Sequence, residues 1–410
     1  MRFNAFAHPV IYPKSRVKNL LKTCSKHDYF LQKDGRRIVL ELHTEGNSRV
    51  YQKVKGKESF FLMERHTFRY PSTRYSGSKR RFLDWIWSNL KDIRFQSVLD
   101  VFGGTASVSL LFKIHGKEVH YNDLLKFNQI IGTALVENKK TIVTAADLKN
   151  ALTFDRKTYP EFIQKEFKSI FYLDNENAWL DKAITEFSQV RDKYKRAILL
   201  SALFQACLAK RPFNLFHRAN LYIRTNNVHR NFGNKTTWER PFENLVSRYV
   251  SEYNKSVFDN SKKNRVIGGY NALDCPNGVD LVYLDPPYFS ASSNQGANYF
   301  TFYHFLEGLA NYDKWPRLLY SPRSKTKKFH EPSEIYEWVQ KDRICETFEK
   351  LIARFQDNII VLSYQSDGIP SKEEILLTLK HFKKKVKVFS KTHQYVLSPK
   401  VKEELLFVAK

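Results

Sequence analysis

The sequence predicts an α/β fold in which a mostly parallel sheet is interrupted by a helical insertion. Residues 94–123 read as a strand, a glycine turn, a helix and a second strand, which is the start of a βαβ unit. This alternation is typical of a parallel sheet. The strand pattern resumes at residues 279–288, after a long stretch with helical periodicity. With 42% apolar residues among 410, the chain can bury a large core.

The pattern divides the chain into three parts. Residues 71–135 and 265–410 make up the α/β domain, and residues 136–264 are the mostly helical insertion. Residues 1–70 are a small N-terminal extension, in which a short helix precedes a hairpin that turns at Asp34-Gly35. Such an extension suits either an accessory element or a small DNA-binding wing.

The end of the α/β domain predicts further alternation. Residues 358–366 read as a strand and residues 372–382 as a helix, and the runs 384–390 and 403–409 read as a closing pair of strands. Within the insertion, residues 197–209 are nearly all apolar. As a helix this run reaches only ~20 Å, short of the ~30 Å core of a bilayer, and we interpret it as a buried helix.

The charge balance indicates a polyanionic partner. Lys and Arg number 68 against 42 Asp and Glu, a net charge of +26. Nucleic acid is the first candidate for such a partner and an anionic membrane surface the second. Four scattered cysteines without a C-x-x-C pair predict neither a zinc site nor a disulfide framework. The N-terminus lacks the apolar core of a signal peptide, so we expect a soluble, intracellular protein.

A glycine turn follows the first strand of the α/β domain. The strand ends at Asp100, and Gly103-Gly104 lead into a helix. Ligands of open α/β sheets bind beyond the carboxyl ends of the strands, where glycine lets the backbone approach them. The next strand ends at Asp123. An acid there either accepts hydrogen bonds from ribose hydroxyls or caps the following helix.

A second strand end carries an unusual turn, Asp285-Pro286-Pro287-Tyr288. Each proline fixes φ near about −65° and removes a backbone donor, and the residue before a proline is restricted as well. The turn therefore holds a carboxylate and carbonyl oxygens in fixed directions, where they can accept hydrogen bonds from an –NH2 group. Tyr288 offers a flat face to a ring. We predict that this turn grips the exocyclic amine of a base.

The order of these motifs resembles the alpha-group DNA adenine-N6 methyltransferases, which include bacterial DNA adenine methylase and many restriction-modification enzymes. The resemblance covers roughly residues 70–410. The motifs occur in the family's order: YSGSK (75–79), DVFGGTAS (100–107), YND (121–123), the insertion, NALD (271–274), DPPY (285–288), YHFLE (303–307) and LSYQSDG (362–368).

The resemblance implies a Rossmann-like sheet that binds S-adenosylmethionine, with the insertion as the target-recognition part and no metal. The target adenine is flipped out of the duplex before its amine is methylated. Asp285 and the Pro286 carbonyl would accept its N–H bonds, Pro287 would complete the turn, and Tyr288 would stack on the base. An aspartate at the start of this motif favours adenine, whereas serine is commoner among cytosine-N4 enzymes.

The resemblance also implies a set of cofactor-binding residues. Tyr75 and Lys79 would contact the methionine end, Asp123 the ribose, and Asp274 the adenine amine of the cofactor. The other expected contacts lie around the glycine turn, at Asp100, Phe102, Gly103 and Gly104. Ala106 occupies the position of the family's second glycine, where a methyl group fits if the residue keeps helical backbone angles.

The insertion is expected to bind double-stranded DNA. Residues 207–240 hold seven Lys or Arg against one acid. Basic side chains of this kind contact phosphates, and a few neighbouring side chains read bases. The predicted DNA contacts are Lys210, Arg211, Arg218, Arg224 and Arg230.

The resemblance allows a cognate restriction endonuclease, acting separately, as a further partner, and a DNA-associated place in the cytoplasm of a bacterial-type cell. Membrane binding is not expected. Three alternatives stay open. They are a weak or inactive DNA-binding module on a methyltransferase scaffold, an RNA adenine methyltransferase, and a cytosine-N4 enzyme, which Asp285 disfavours.

Overall fold

The computed structural model describes most of the chain, and it divides into two compact units, Met1–Tyr70 and Pro71–Lys410. Side chains are described from Phe68 on, except at 393–394 and 401–402. The described residues are 4–6, 10–13, 29–34, 37–44, 47–53, 59–226, 235–290, 298–318, 324–394 and 401–410.

The first unit contains an antiparallel sheet. The arms of the predicted hairpin, Tyr29–Asp34 and Arg37–Thr44, pair from Tyr29 opposite Leu42 to Asp34 opposite Arg37. The sheet extends beyond this hairpin to six strands, since Asn4–Phe6, Val10–Pro13, Asn47–Lys53 and Ser59–Thr67 join it. The helix predicted to follow Ser15 lies outside the described residues.

The second unit is built around a seven-stranded sheet. Its strands lie in the order Val386–Gln394, Val401–Ala409, Ile359–Gln365, Leu281–Leu284, Ser97–Asp100, Glu118–Asn122 and Arg265–Gly268. The five strands from Ile359–Gln365 to Arg265–Gly268 are parallel, and the first two pair antiparallel. The predicted α/β fold with a mostly parallel sheet is therefore confirmed. The edge strand Arg265–Gly268 has no counterpart among the predicted elements.

The centre of the sheet is the strand Leu281–Leu284, all four residues of which are buried. A strand covered on both faces reads as a continuous apolar run, as this one does. Helices Ile344–Arg354 and Lys372–Phe382 cover one face with a shared apolar core. The second of these helices begins with a capping box: the Ser371 hydroxyl accepts from Glu374 N, and the Glu374 carboxylate accepts from Ser371 N.

The helices of the second unit fall into two groups. Those outside the stretch between strands Glu118–Asn122 and Arg265–Gly268 are Leu83–Leu90, Ser107–Ile114, Tyr299–Ala310, Tyr336–Val339, Ile344–Arg354 and Lys372–Phe382. Those within that stretch are Lys126–Gly132, Ala145–Ala151, Phe162–Glu166, Asp174–Gln189, Lys193–Ala209, Tyr222–Thr225, Lys235–Glu239 and Phe242–Asn254.

The apolar run 197–209 is the buried helix that its composition predicts. It belongs to Lys193–Ala209, and every residue from Ala197 to Ala209 is buried. The helix begins at Asp192, whose carboxylate accepts from the backbone N–H groups of Tyr194 and Lys195. Across the described part of the chain, no helix has both the length and the apolar character that a membrane span requires.

Candidate active site

A cavity lies at the carboxyl ends of the parallel strands, where ligands of open α/β sheets bind. Strands Ser97–Asp100, Glu118–Asn122 and Leu281–Leu284 all lead into it. Its walls include predicted cofactor residues and part of the predicted catalytic turn, namely Tyr75, Lys79, Asp100, Phe102, Gly103, Gly104, Asp123, Asp285 and Pro287. Segments that are far apart in sequence therefore meet at one place.

The two glycines of the turn serve different purposes. A Cβ on Gly103 would lie 2.1 Å from the ring of Tyr121, so this glycine is required by packing against the next strand. Gly104 has a φ of +49° and donates its N–H to Oδ2 of Asp123 at 2.8 Å. The Tyr121 hydroxyl donates to the Gly104 carbonyl at 2.7 Å. The turn is thus fixed on both sides by residues of the neighbouring strand.

Ala106 does not have the helical backbone angles that are the condition for its methyl group to fit. Its φ is 58° and its ψ is 15°, in the left-handed region, and its methyl group is fully buried. The reason is geometric: the chain reverses here, with Ala106 N bonded to Gly103 O, before the helix Ser107–Ile114 begins. A left-handed backbone costs a non-glycine residue about 1–2 kcal/mol.

Asp123 is bonded to the backbone of two segments at the cavity wall, and its predicted contact with a ribose stays a prediction. One carboxylate oxygen accepts from Gly104 N, and the other accepts from Leu125 N at 2.9 Å, ahead of the helix Lys126–Gly132. The carboxylate also lines the cavity. Burial raises the pKa of Asp123 to about 6, against the lowering effect of the two backbone N–H donors. Asp123 therefore ties the glycine turn to the next helix at the cavity wall.

Asp100 faces the same cavity from the end of its strand. Its Oδ2 accepts from the Ser109 hydroxyl at 2.6 Å. Its Oδ1 is buried and finds no hydrogen-bond partner among the described residues. Burial raises the pKa of Asp100 to about 7. A buried acceptor without a partner is costly, so this oxygen is suited to a ligand that brings its own donor.

Tyr75 lies in an aromatic stack at the edge of the cavity. Its ring is 4.5 Å from that of Tyr303 with an interplanar angle of 11°, and 5.6 Å from that of Tyr299 with an angle of 2°. Both partners belong to the helix Tyr299–Ala310. The Tyr303 hydroxyl accepts from the backbone N–H of Ser76 at 2.7 Å. The segment that leads to Lys79 is therefore held against this helix.

Lys79 connects the cavity with the predicted catalytic turn. Its Nζ is 3.2 Å from Oδ1 of Asp285 and 2.6 Å from Oε1 of Glu404. The Lys79 side chain is 8% exposed and that of Asp285 is 21% exposed. Burial raises the pKa of Asp285 to about 6, although Lys79 acts in the opposite direction.

Glu404 is absent from the predicted site residues. It lies in the closing strand Val401–Ala409, at the beginning of the apolar run 405–409. The one available signal is that an acid within a closing strand of the sheet is unusual. Its partner Lys79 is far away in sequence, so the pairing itself could not be predicted.

The remaining residues of the Asp-Pro-Pro-Tyr turn have distinct surroundings. Pro286 is buried and Pro287 lines the cavity. The Tyr288 hydroxyl donates to Oε1 of Gln365 at 3.0 Å, and its ring centroid lies 4.9 Å from that of Tyr364. The next residues, Phe289–Ser290, pair antiparallel with Gly368–Ile369. The turn is thus fixed by the strand before it and by a short pair of strands after it.

Two other predicted cofactor residues have different positions. Phe102 lines the cavity and packs edge-to-face on Trp338, a residue that sequence reasoning missed, with centroids 5.1 Å apart. Asp274 is exposed and is not part of the cavity wall, which Asn271 and Ala272 reach instead. The predicted contact of Asp274 with the adenine amine of the cofactor stays a prediction, since this side chain lies at the end of the short helix Ala272–Asp274, exposed to solvent.

Two of the predicted DNA contacts pair with an acid of the insertion. Lys210 is 1% exposed, and its Nζ lies 2.7 Å from Oε1 of Glu176. Arg224 binds both oxygens of the same carboxylate, at 2.7 and 2.8 Å, with a side chain that is 6% exposed. Both side chains share this one carboxylate at the wall of a second cavity, and their predicted phosphate contacts stay predictions.

Arg211 is also inside the protein. It is 0% exposed and donates to the carbonyl oxygens of Leu215 and Arg218, both at 2.7 Å, and to Asn220 Oδ1 at 2.9 Å. Its guanidinium lies 4.9 Å from the ring centroid of Phe216. Arg211 therefore fixes the loop formed by residues 211–220, and the phosphate contact predicted for this buried side chain stays a prediction.

The loop 211–220 has some side chains exposed to solvent and is hydrogen-bonded to the helix Tyr299–Ala310 beside the cavity. Arg218 and Phe213 are exposed, the latter by 54%. Phe216 N donates to Phe302 O at 2.8 Å, and the His304 Nε2 lies 3.1 Å from Phe216 O. Arg230, the last predicted DNA contact, lies outside the described residues.

Comparison with known proteins agrees with this arrangement. The chain is 26% identical over 353 residues to the type II methyltransferase M2.HphI of Haemophilus parahaemolyticus, covering 83% of this chain and 98% of that protein. It is 23% identical over 323 residues to the type II methyltransferase M.NlaIII of Neisseria lactamica, covering 76% and 88%. It is 24% identical over 349 residues to M.FokI of Planomicrobium okeanokoites, covering 75% of this chain and 46% of that longer protein.

A family model covers the residues that build the cavity. The model of the D12 class N6 adenine-specific DNA methyltransferases matches residues 75–376. The match begins at the cavity residue Tyr75 and ends within the helix Lys372–Phe382. This is most of the chain and includes the insertion. The chain therefore belongs to the D12 class of N6 adenine-specific DNA methyltransferases.

Proposed function

We propose that the chain transfers a methyl group from S-adenosylmethionine to N6 of adenine at a specific site in duplex DNA, with Asp285 as the residue that grips the amine. Asp285 carries this assignment. It lies at the cavity wall, with its carboxylate 3.2 Å from a buried ammonium and partly open to solvent. A carboxylate held in this way can accept hydrogen bonds from an incoming –NH2 group.

The cavity walls suit S-adenosylmethionine, which supplies a methyl group on a positively charged sulfur. Its hydroxyl, ammonium and amine groups are donors, and two cavity carboxylates are acceptors. Asp100 Oδ1 is buried without a partner among the described residues, and Asp123 lies at the neighbouring strand end. The residues we assign to the cofactor are Tyr75, Lys79, Asp100, Phe102, Gly103, Gly104 and Asp123.

The amine of adenine is a poor nucleophile because its lone pair is delocalised into the ring. The base must first leave the stack, and Tyr288 is placed beside the catalytic carboxylate to support it by stacking. Asp285 and the Pro286 carbonyl then accept hydrogen bonds from the two N–H groups of the amine, which directs its lone pair out of the ring plane. When bound, S-adenosylmethionine would supply the methyl carbon in exchange for its carbon–sulfur bond, while Asp285 and the Pro286 carbonyl would hold the amine. The nitrogen releases one proton, which the Asp285 carboxylate is placed to accept.

The insertion is the proposed DNA-recognition part. The exposed Arg218, on a loop fixed from inside by Arg211, supports a contact with the phosphate backbone. The type II names of the relatives support a cognate restriction endonuclease that acts separately on the same DNA site. Both enzymes would then work on DNA in the cytoplasm.

Modification-sensitive sequencing of DNA from cells that express the protein tests this function. We expect N6-methyladenine in one short sequence motif with the wild-type chain and none with Asp285→Asn, which keeps the size of the side chain but removes its charge. Purified wild type and variant should bind S-adenosylmethionine with similar affinity in calorimetry. Methylation of cytosine instead of adenine, methylation of RNA alone, or an active Asp285→Asn variant would contradict the proposal.

A further inference from the structure

A buried carboxylate on the closing strand contacts the lysine of the active site. The Glu404 side chain is 4% exposed, and its Oε1 lies 2.6 Å from the Nζ of Lys79. The same oxygen accepts a hydrogen bond from the Ser363 hydroxyl at 2.7 Å. Ser363 belongs to the neighbouring strand Ile359–Gln365, so two paired strands hold the carboxylate in place. Glu404 is therefore a rigid anchor for the lysine.

One ammonium lies between two carboxylates in this arrangement. The Nζ of Lys79 is closer to Glu404, at 2.6 Å, than to Asp285, at 3.2 Å. Coulomb attraction at these distances ties Lys79 to both carboxylates, and Asp285 raises the pKa of Lys79 more than Glu404 does. Burial alone would lower the pKa of Lys79, but Asp285 and Glu404 raise it well above its usual value. The lysine therefore stays protonated throughout the neutral range.

The reaction requires that Asp285 be both fixed in position and available as an acceptor. An ammonium paired with Asp285 alone would fix the carboxylate but compete with the target amine for its lone pairs. We propose that Glu404 is a positioning residue for methyl transfer, which holds Lys79 beside Asp285 and shares the ammonium charge so that Asp285 remains a strong acceptor. This inference rests on the proposed role of Asp285.

The charges around Asp285 determine how a change at Glu404 should act. The titratable groups that interact with Asp285 come from several elements: Lys79, Glu404, Asp100 and Tyr283, while Tyr288 acts on Lys79. Burial raises the pKa of Asp285, Lys79 lowers it, and Glu404 raises it. Removing the negative charge of Glu404 leaves Lys79 to act on Asp285 alone. The pKa of Asp285 should then fall.

The test is the pH profile of kcat for Glu404→Gln, measured by methyl transfer to DNA at saturating S-adenosylmethionine and DNA. We expect kcat to fall about tenfold, less than the about 10²–10³ cost of removing a donor that contacts the transition state. The acid limb of the profile should move to lower pH. Glu403→Gln is the matched control: it makes the same charge change on the opposite face of the same strand, and its profile should stay unchanged.

A second variant distinguishes the effect of the length of the Glu404 side chain from the effect of its charge. Glu404→Asp keeps the charge but shortens the side chain, so kcat should fall while the acid limb stays in place. If Glu404→Gln does not fold, the Glu404→Asp result decides: a wild-type kcat in that variant would overturn the inference. A folded Glu404→Gln with the wild-type kcat and profile would overturn it as well. In either case, adenine methylation by the wild-type chain keeps the proposed function intact, whereas its absence would refute that function first.

Discussion

Lys79 and Asp285 form an ion pair at the wall of the cavity, with Nζ 3.2 Å from Oδ1. Lys79 lies just before the helix Leu83–Leu90 of the second unit, and Asp285 follows the central strand Leu281–Leu284 of the sheet. The pair therefore joins a residue assigned to the cofactor with the residue assigned to the target base. Changes in protonation or position of one member reach the other directly.

The first prediction concerns the pH dependence of the wild-type enzyme. Burial raises the pKa of Asp285 to about 6. A protonated carboxyl group cannot accept a further proton from the amine, so kcat/KM for DNA, which reports the free enzyme, should fall as the pH decreases through about 6. Tritium transfer to DNA at subsaturating DNA, followed over a range of pH, would show this limb. A rate that stays level well below that pH would contradict the assignment of Asp285.

Lys79→Met should move the acid limb of the pH profile in the direction opposite to the shift expected for Glu404→Gln. Lys79 lowers the pKa of Asp285, and its loss leaves two carboxylates facing each other without a cation. The acid limb should shift to higher pH, and kcat should fall. Lys79→Arg is the control, because it keeps the charge and should retain the position of the limb. An unchanged limb in Lys79→Met would show that the ion pair does not act on Asp285.

The left-handed backbone of Ala106 predicts an asymmetric response to substitution. Ala106→Gly removes about 1–2 kcal/mol of backbone strain and loses about 0.8 kcal/mol of methyl burial, so the free energy of unfolding should change by less than about 1 kcal/mol. Ala106→Val should destabilise the protein by more than about 2 kcal/mol, because a β-branched residue fits this conformation poorly. Urea unfolding of both variants checks this. Equal stabilities would rule out strain at residue 106.

Arg211 should matter for stability more than for DNA charge. Arg211→Met leaves three acceptors of the loop 211–220 without their donor, and a buried unsatisfied group costs about 1–3 kcal/mol. We expect a loss of about 3 kcal/mol in the free energy of unfolding, measured by urea titration without DNA. A variant as stable as the wild type would show that the loop holds its shape without this side chain.

Arg218 should give the reverse result. It is exposed, so Arg218→Ala should leave stability unchanged within about 0.5 kcal/mol. Each phosphate contact contributes about 0.9 to the slope of log K against log salt, and the variant's slope should be shallower by that amount. Lys350→Ala, which removes an exposed cation that pairs with Glu346, serves as the control. Equal salt slopes for wild type and Arg218→Ala would exclude a phosphate contact.

The elements that sequence patterns predict well are those whose causes are local. The glycine turn, the buried helix 197–209 and the closing strands are found where apolar periodicity and turn residues predict them. The Asp-Pro-Pro-Tyr turn also lies at a strand end beside the cavity, since its rigidity depends on its own prolines.

The features that sequence patterns do not reveal depend on partners distant in sequence. The basic run around Lys210 and Arg224 reads as a surface, yet both residues pair with Glu176 of another helix. A charge count within one segment cannot reveal which cations become buried. The same reason hides Glu404, whose importance depends on Lys79 at the opposite end of the domain. The exposure of Asp274 is hidden for a different reason, because the direction of one side chain in a short helix is not fixed by its motif.

The helix Tyr299–Ala310 stacks on Tyr75 with two tyrosines and bonds to the loop 211–220 through Phe302 and His304. This one element, which is kinked at Tyr303, thus contacts the proposed sites of both substrates. If the first substrate displaces it, the free energy of binding the second changes, and thermodynamic reciprocity makes the two effects equal in magnitude. In that case the binding constant for S-adenosylmethionine measured without DNA and the binding constant for DNA measured without cofactor do not contain the coupling. Their product would differ from the formation constant of the ternary complex by the coupling factor.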